Sequence, residues 1–167
     1  MLTIRPEGLI EDEPGIRAVL LAAFPTNAEA HLVDRLRTNG HNIISLVAEL
    51  DGVVVGSILF SPVIAGSSRG LGLAPLAVLP KHQRQGIGSA LVREGLALCK
   101  GKGCEFVVVL GHLDFYRRFG FQPASQSGIQ NEFGASDSFM FKYMRLDLPF
   151  MGTIVRYGLE FAEWKVT

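Results

Sequence analysis

Residues 70–98 read GLGLAPLAVLPKHQRQGIGSALVREGLAL, and this stretch decides the fold. Residues 71–79 are nearly all apolar, the pattern of a buried strand. Pro80 ends that strand because it has no backbone N–H to give a neighbour. Gln83-Arg84-Gln85-Gly86-Ile87-Gly88 makes a tight turn. Ile87, Leu91 and Leu98, with Ala90 and Ala97, then fall at near-helical spacing and predict a helix over residues 89–100. Two glycines at a helix start let a ligand approach the backbone, since neither carries a Cβ. The first N–H groups of a helix have no partner within it, and the helix dipole is positive there. Such a place binds phosphate. Lys81, His82 and Arg84 add local positive charge in a chain whose net charge is zero.

The chain holds no Gly-x-x-x-x-Gly-Lys-Ser/Thr run, so this is not a Walker loop. A dinucleotide fingerprint needs a third glycine three residues after Gly88, where Leu91 stands, and an acid closing the next strand. Glu105 opens that strand instead. A nucleotide-binding oxidoreductase is disfavoured on both counts. What remains is Gln-x-x-Gly-x-Gly after an apolar strand. It resembles the acetyl-CoA loop of the GCN5-related N-acetyltransferases, the GNAT superfamily. Phe115-Tyr116-Arg117-Arg118-Phe119-Gly120-Phe121, which follows the apolar run 106–110, resembles that family's Tyr-x-x-x-Gly-Phe motif. The two motifs stand in the family's order over roughly residues 71–121.

The resemblance implies an α/β (α+β) fold. Its central sheet is mixed and mostly antiparallel, with one splayed parallel strand pair and flanking helices. It also implies acetyl-CoA as cosubstrate and direct acetyl transfer to an amine. The backbone of Arg84, Gln85, Gly86, Ile87, Gly88 and Ser89 would bind the pyrophosphate. Pantetheine would lie along Leu76, Ala77 and Val78, with the Val78 N–H as the expected oxyanion donor. Tyr116 would protonate the leaving thiolate, since a phenol is neutral at physiological pH. Arg118 or Lys81 would meet the 3′-phosphate of CoA. A bland reading stands beside each assignment: Tyr116 as an aromatic anchor, the arginines as solvated charges.

The general base is left open. Residues 71–79 contain no carboxylate, although many relatives carry a glutamate near there. His112, Glu29, Asp137 and a bridging water are the options, with Glu105 at the wrong end of its strand. A different class of function also stays open, a module that senses acyl-CoA without turning it over. The acceptor amine is not legible.

The 167 residues fit one domain with a sizeable core, spanning residues 1–167. Sixteen basic residues balance sixteen acidic ones, which argues against a general nucleic-acid surface. Two cysteines, Cys99 and Cys104, imply neither a disulfide framework nor a metal site. The charged first residues do not read as a signal peptide, and no apolar run approaches a membrane span, so the expectation is a cytoplasmic protein.

Elsewhere, residues 2–5 predict a strand and Glu11-Asp12-Glu13-Pro14 a helix start. Asn27 reads as the N-cap of a second helix that closes at Asn39-Gly40. Asp51-Gly52 predicts a hairpin between strands 43–50 and 53–60, residues 61–69 a loop, and Pro75 a bulge or a gap in the sheet. Residues 124–137 read as loop and 139–146 as the last strand. The tail contains Phe150, Tyr157, Phe161 and Trp164, which calls for packing on the domain or on a partner such as a second copy.

Overall fold

The computed structural model describes residues 1–134, 137–145 and 153–162, without the side chain of Leu9. In chain order the elements are β1 (Leu2–Pro6), α1 (Leu9–Ala23), α2 (Ala28–Thr38), β2 (Ile44–Leu50), β3 (Val53–Ala65) and β4 (Ser68–Val78). Then come α3 (Ile87–Gly101), β5 (Phe106–Leu110), α4 (Leu113–Tyr116), β6 (Gln122–Pro123), β7 (Gln130–Asn131), β8 (Phe139–Tyr143) and β9 (Ile154–Tyr157). Two compact units divide this material. One holds Met1–Phe60 and Pro75–Leu98, the other Ser61–Ala74 and the described residues from Cys99 on.

In the first unit β1, β2 and β3 pair antiparallel, with a register shift at Ala48/Glu49. Asp51 and Gly52 both take positive φ, 50° and 83°, as a two-residue hairpin turn of the twisted kind requires. Helix α2 closes as its sequence predicts. Gly40 is left-handed at φ 69°, and the His41 N–H returns to the Leu36 carbonyl at 2.8 Å. At its start Asn27 occupies the cap position but its side chain accepts no cap hydrogen bond; Thr26 Oγ1 accepts the Ala28 N–H instead. Gly95 of α3 is a packing residue, because a Cβ there would lie 2.4 Å from Cε2 of the fully buried Phe60.

Helix α1 begins at Leu9, earlier than its sequence suggests, so Pro14 sits inside the helix. The reason is Asp12. Its carboxylate folds back to accept the Gly8 N–H at 2.6 Å, and takes two further hydrogen bonds from Arg5 at 2.7 and 2.9 Å. Arg5 also reaches Glu49 on β2. Asp12 is only 6% exposed, yet its pKa is held below the ordinary carboxylate value, first by the Arg5 hydrogen bonds and further by the Gly8 N–H, against the opposing effect of burial. A depressed folded-state pKa gives stability that is present above the unfolded value of about 3.9 and lost as pH falls through the folded one. We therefore expect Asp12→Asn to lower unfolding free energy by about 2 kcal/mol at neutral pH, the scale of hydrogen bonds to charged groups. Urea melts of both proteins should converge on acidification below about pH 4. A gap that stays constant into acid would contradict the assignment.

In the second unit β4 runs parallel to β5 over three register pairs, Leu71↔Val107, Gly72↔Val108 and Leu73↔Val109. Strand β8 lies antiparallel on the other side of β5, followed by β6. The mixed sheet is thus mostly antiparallel. The parallel ladder stops one residue short of Ala74, and β4 continues through Pro75 to Val78 without a described β5 partner. Gly70 and Gly72 are small for contact reasons. A Cβ at Gly70 would lie 2.6 Å from the Phe106 ring and carbonyl, and one at Gly72 would lie 2.8 Å from the Tyr157 ring.

The span 61–69 is not the loop its serines and Gly66 suggest. Strand β3 runs on to Ala65, Gly66 turns at φ 61°, and β4 starts at Ser68. The added strand is held by β9, which pairs antiparallel with Val63, Ile64 and Ala65. Residues 124–131 also differ from a plain loop, with a 3-10 turn at Ala124–Ser127 and β7 paired parallel to β9. Tyr157 and Phe161 are buried in this unit as the apolar tail requires, whereas Leu146, Phe150 and Trp164 lie outside the described residues.

Candidate active site

The glycine turn and the strand before it fall in the first unit. Leu76 and Val78 are half-buried and Ala77 is buried. The strand end is fixed by two bonds: the Leu79 N–H to the Val55 carbonyl at 2.8 Å, and Gln83 Nε2 to the Val78 carbonyl at 3.0 Å. Gln83, the first residue of the motif, therefore ties the turn to the strand it follows. A 3-10 turn over Pro80–His82 leads on to it.

Arg84 and Gly86 both adopt left-handed backbone, at φ 62° and 86°. For glycine this is free; for arginine it is uncommon and marks a backbone whose conformation is imposed by the surrounding chain. Left-handed residues next to helical ones form concavities of backbone N–H groups that bind anions. These two left-handed residues stand just before the first turn of a 15-residue helix, α3, whose first N–H groups have no partner within the helix. A Cβ on Gly86 would meet no heavy atom within 4 Å, so the space over the turn is open. Arg84, Gln85 and Gly86 are exposed, Gly88 and Ser89 half-buried, and Ile87 buried. Ile87 anchors the turn from below. Its Cγ2, Leu91 Cδ1 and the Ala77 carbonyl would lie 3.2–3.3 Å from a Cβ on Gly56, which is why β3 carries a glycine there. Among the described residues, Lys81, His82 and Arg84 enter no ion pair, so the two cations Lys81 and Arg84 are open to an incoming anion.

Tyr116 belongs to the second unit, at the end of α4. Its N–H bonds the His112 carbonyl at 3.1 Å. The ring is 8% exposed and packs edge-on against Phe115 and Phe121, with centroids 4.9 and 5.8 Å away. Burial pushes its pKa well above that of an ordinary phenol. Among the described residues its hydroxyl has no hydrogen-bond partner. Arg118, in the 3-10 turn after α4, lies 4.8 Å from the Phe115 centroid, and its Nε donates to the Phe115 carbonyl at 3.3 Å.

Glu105, His112, Asp137 and Glu29 sit in different surroundings. Glu105 accepts the Arg69 N–H at 3.0 Å. His112 and Asp137 are exposed. Glu29, in the first turn of α2, is 6% exposed, and its Oε2 is buried without a hydrogen-bond partner among the described residues. Buried carboxylate oxygens are almost always paired, and an unpaired one calls for a functional reason. Nothing in the sequence marks Glu29 for burial beyond its place on the inner helical face. Among the described residues no three His, Cys, Asp or Glu side chains group as a metal site. No helix among them is long and apolar enough to cross a membrane.

The sequence model of the acetyltransferase (GNAT) family matches residues 13–121, from α1 to the end of the tyrosine motif. The chain belongs to the GNAT acetyltransferase family. Among its relatives is the Escherichia coli (strain K12) protein named as an uncharacterized N-acetyltransferase, YhbS, 41% identical over 130 residues, covering 76% of this chain and 78% of that one. The crystal structure of E. coli YhbS in complex with CoA superimposes with a TM-score of 0.91 at 36% identity, over 99% of this chain and 94% of that one. A Brucella melitensis acetyltransferase of the family, crystallised with acetyl-CoA, gives 0.81 at 38% identity, over 96% of this chain and 98% of that one. Both family motifs of this chain thus lie inside the matched region.

Proposed function

We propose that this protein, as a single domain, transfers the acetyl group of acetyl-CoA directly to an acceptor amine. The observation that carries the reading is the turn at Arg84 and Gly86, an open anion cradle at the mouth of α3. The relatives of known structure that hold CoA and acetyl-CoA support the same ligand. The backbone of residues 84–89 receives the pyrophosphate, and residues 76–78 guide the pantetheine arm. The neutral amine attacks the thioester carbonyl, a C–N bond forms and the C–S bond breaks. The amine's proton passes to Glu29, and the leaving thiolate takes the Tyr116 proton, which water later restores.

Glu29 suits its role because its free oxygen has no competing donor. Tyr116 suits its own because burial keeps it protonated until a thiolate develops. A thiolate held out of water would gain proton affinity from the same cause. The test is CoA release from acetyl-CoA with a panel of amines, checked by mass analysis of the acceptor. Amine-dependent release supports transfer; tight binding without release supports an acyl-CoA sensor. In the same assay Glu29→Gln should slow turnover at least about tenfold at neutral pH. The deficit should shrink in alkali, where solvent base takes over. An unchanged pH profile would remove Glu29 from the mechanism.

A further inference from the structure

We propose that Gly111 is a positioning residue for the Tyr116 hydroxyl, an inference that rests on the acid role assigned to Tyr116 above. Gly111 follows β5 directly, and its N–H bonds the Ser138 carbonyl at 3.0 Å. It is not among the residues with positive φ, so its backbone is open to any residue type. What requires glycine is space. A Cβ at this position would lie 2.6 Å from Tyr116 Cε2, 3.3 Å from Cδ2 and 3.7 Å from Cζ. The ring therefore rests with one edge against bare backbone. Phe115 and Phe121 meet the same ring edge-on, so it is held on several sides.

An added methyl group must push the ring edge back by about 1 Å to restore ordinary contact. The shift carries the phenol oxygen with it. A general acid has to sit within hydrogen-bond reach of the atom it protonates, and a displacement of about 1 Å can cost about 10²-fold in rate. The strand end and the helix that carries Tyr116 are thus coupled through one missing side chain. The pairing of glycine and tyrosine five residues apart has a mechanical reason.

The experiment is a double-mutant cycle in single-turnover acetyl transfer. Gly111→Ala should lower the rate of the chemical step by about 10- to 100-fold and leave acetyl-CoA affinity within about threefold. In the Tyr116→Phe background the same substitution should cost less than about threefold, because the hydroxyl it misplaces is already gone. A full additional loss in that background would overturn the proposal and make Gly111 a general packing residue. An unchanged rate for Gly111→Ala alone would overturn it as well. So would a Gly111→Ala protein that fails to fold, since the contact would then serve the core. If Tyr116→Phe alone has no effect, the acid role itself fails, and that outcome is distinct from the others. Phe121→Leu relieves the ring from another side and should lower the rate in the same non-additive way.

Discussion

Gly86→Val should raise the dissociation constant for acetyl-CoA by about 10³-fold, which is about 4 kcal/mol, while the protein stays folded. The expectation rests on two separate facts about one residue. Gly86 stands at φ 86°, where a β-branched residue carries backbone strain of about 1–3 kcal/mol. A Cβ there meets no protein atom within 4 Å, so the side chain itself does not disturb the core. It instead fills the space over the turn that the pyrophosphate is proposed to occupy. Gly86→Ala helps to separate the two effects, because any Cβ meets strain at this φ while alanine carries less of it and far less bulk. Both variants should melt at lowered temperatures, valine the lower, while valine should lose affinity by calorimetry out of proportion to that difference. A folded valine variant that binds within about threefold of the parent would show that the phosphates lie elsewhere.

Tyr116→Phe should slow the chemical step by at least about 10²-fold and hardly change stability or acetyl-CoA affinity. Only a hydroxyl without a hydrogen-bond partner among the described residues is removed, and the ring that packs on Phe115 and Phe121 remains. The loss should appear equally in kcat and kcat/KM, because the proton moves only in the transition state. The pH dependence has a definite sign. Burial raises the Tyr116 pKa above the ordinary phenol value of about 10, so the proton stays in place throughout the neutral and mildly alkaline range. The rate of the parent should therefore show no alkaline fall from this group below about pH 10. For stability the same shift acts only above that pH, where the unfolded chain ionises and the folded one does not, so stability falls as pH rises. Retention of most of the single-turnover rate would reduce Tyr116 to a packing residue.

Local chemistry made the site motifs and the tight turns legible in the sequence. Asp51-Gly52 and Asn39-Gly40 carry their turn geometry in their residue types, and both are found with positive φ at the glycine. The apolar runs 71–79 and 106–110 pair parallel because a helix lies between them. What escaped was set by partners distant in the chain. Residues 61–65 look like loop because serine and proline weaken a strand, but β9, some ninety residues later, supplies the ladder. The start of α1 was displaced by Asp12, which is engaged by Arg5 from β1. The left-handed Arg84 is invisible in a residue type that rarely adopts that conformation. The buried, unpaired oxygen of Glu29 and the contact of Gly111 with Tyr116 are facts of packing, and no spacing rule signals either.

A single turnover distinguishes acetyl transfer from mere holding of the thioester. Protein in excess over acetyl-CoA is mixed with a panel of amines, and free CoA and acetylated amine are followed together by mass spectrometry. With a suitable acceptor the two products should appear in equal amounts and at one rate, and Tyr116→Phe should slow both alike. Acetyl-CoA that stays bound and intact with every class of amine, while Gly86→Val abolishes the binding, would contradict acetyl transfer.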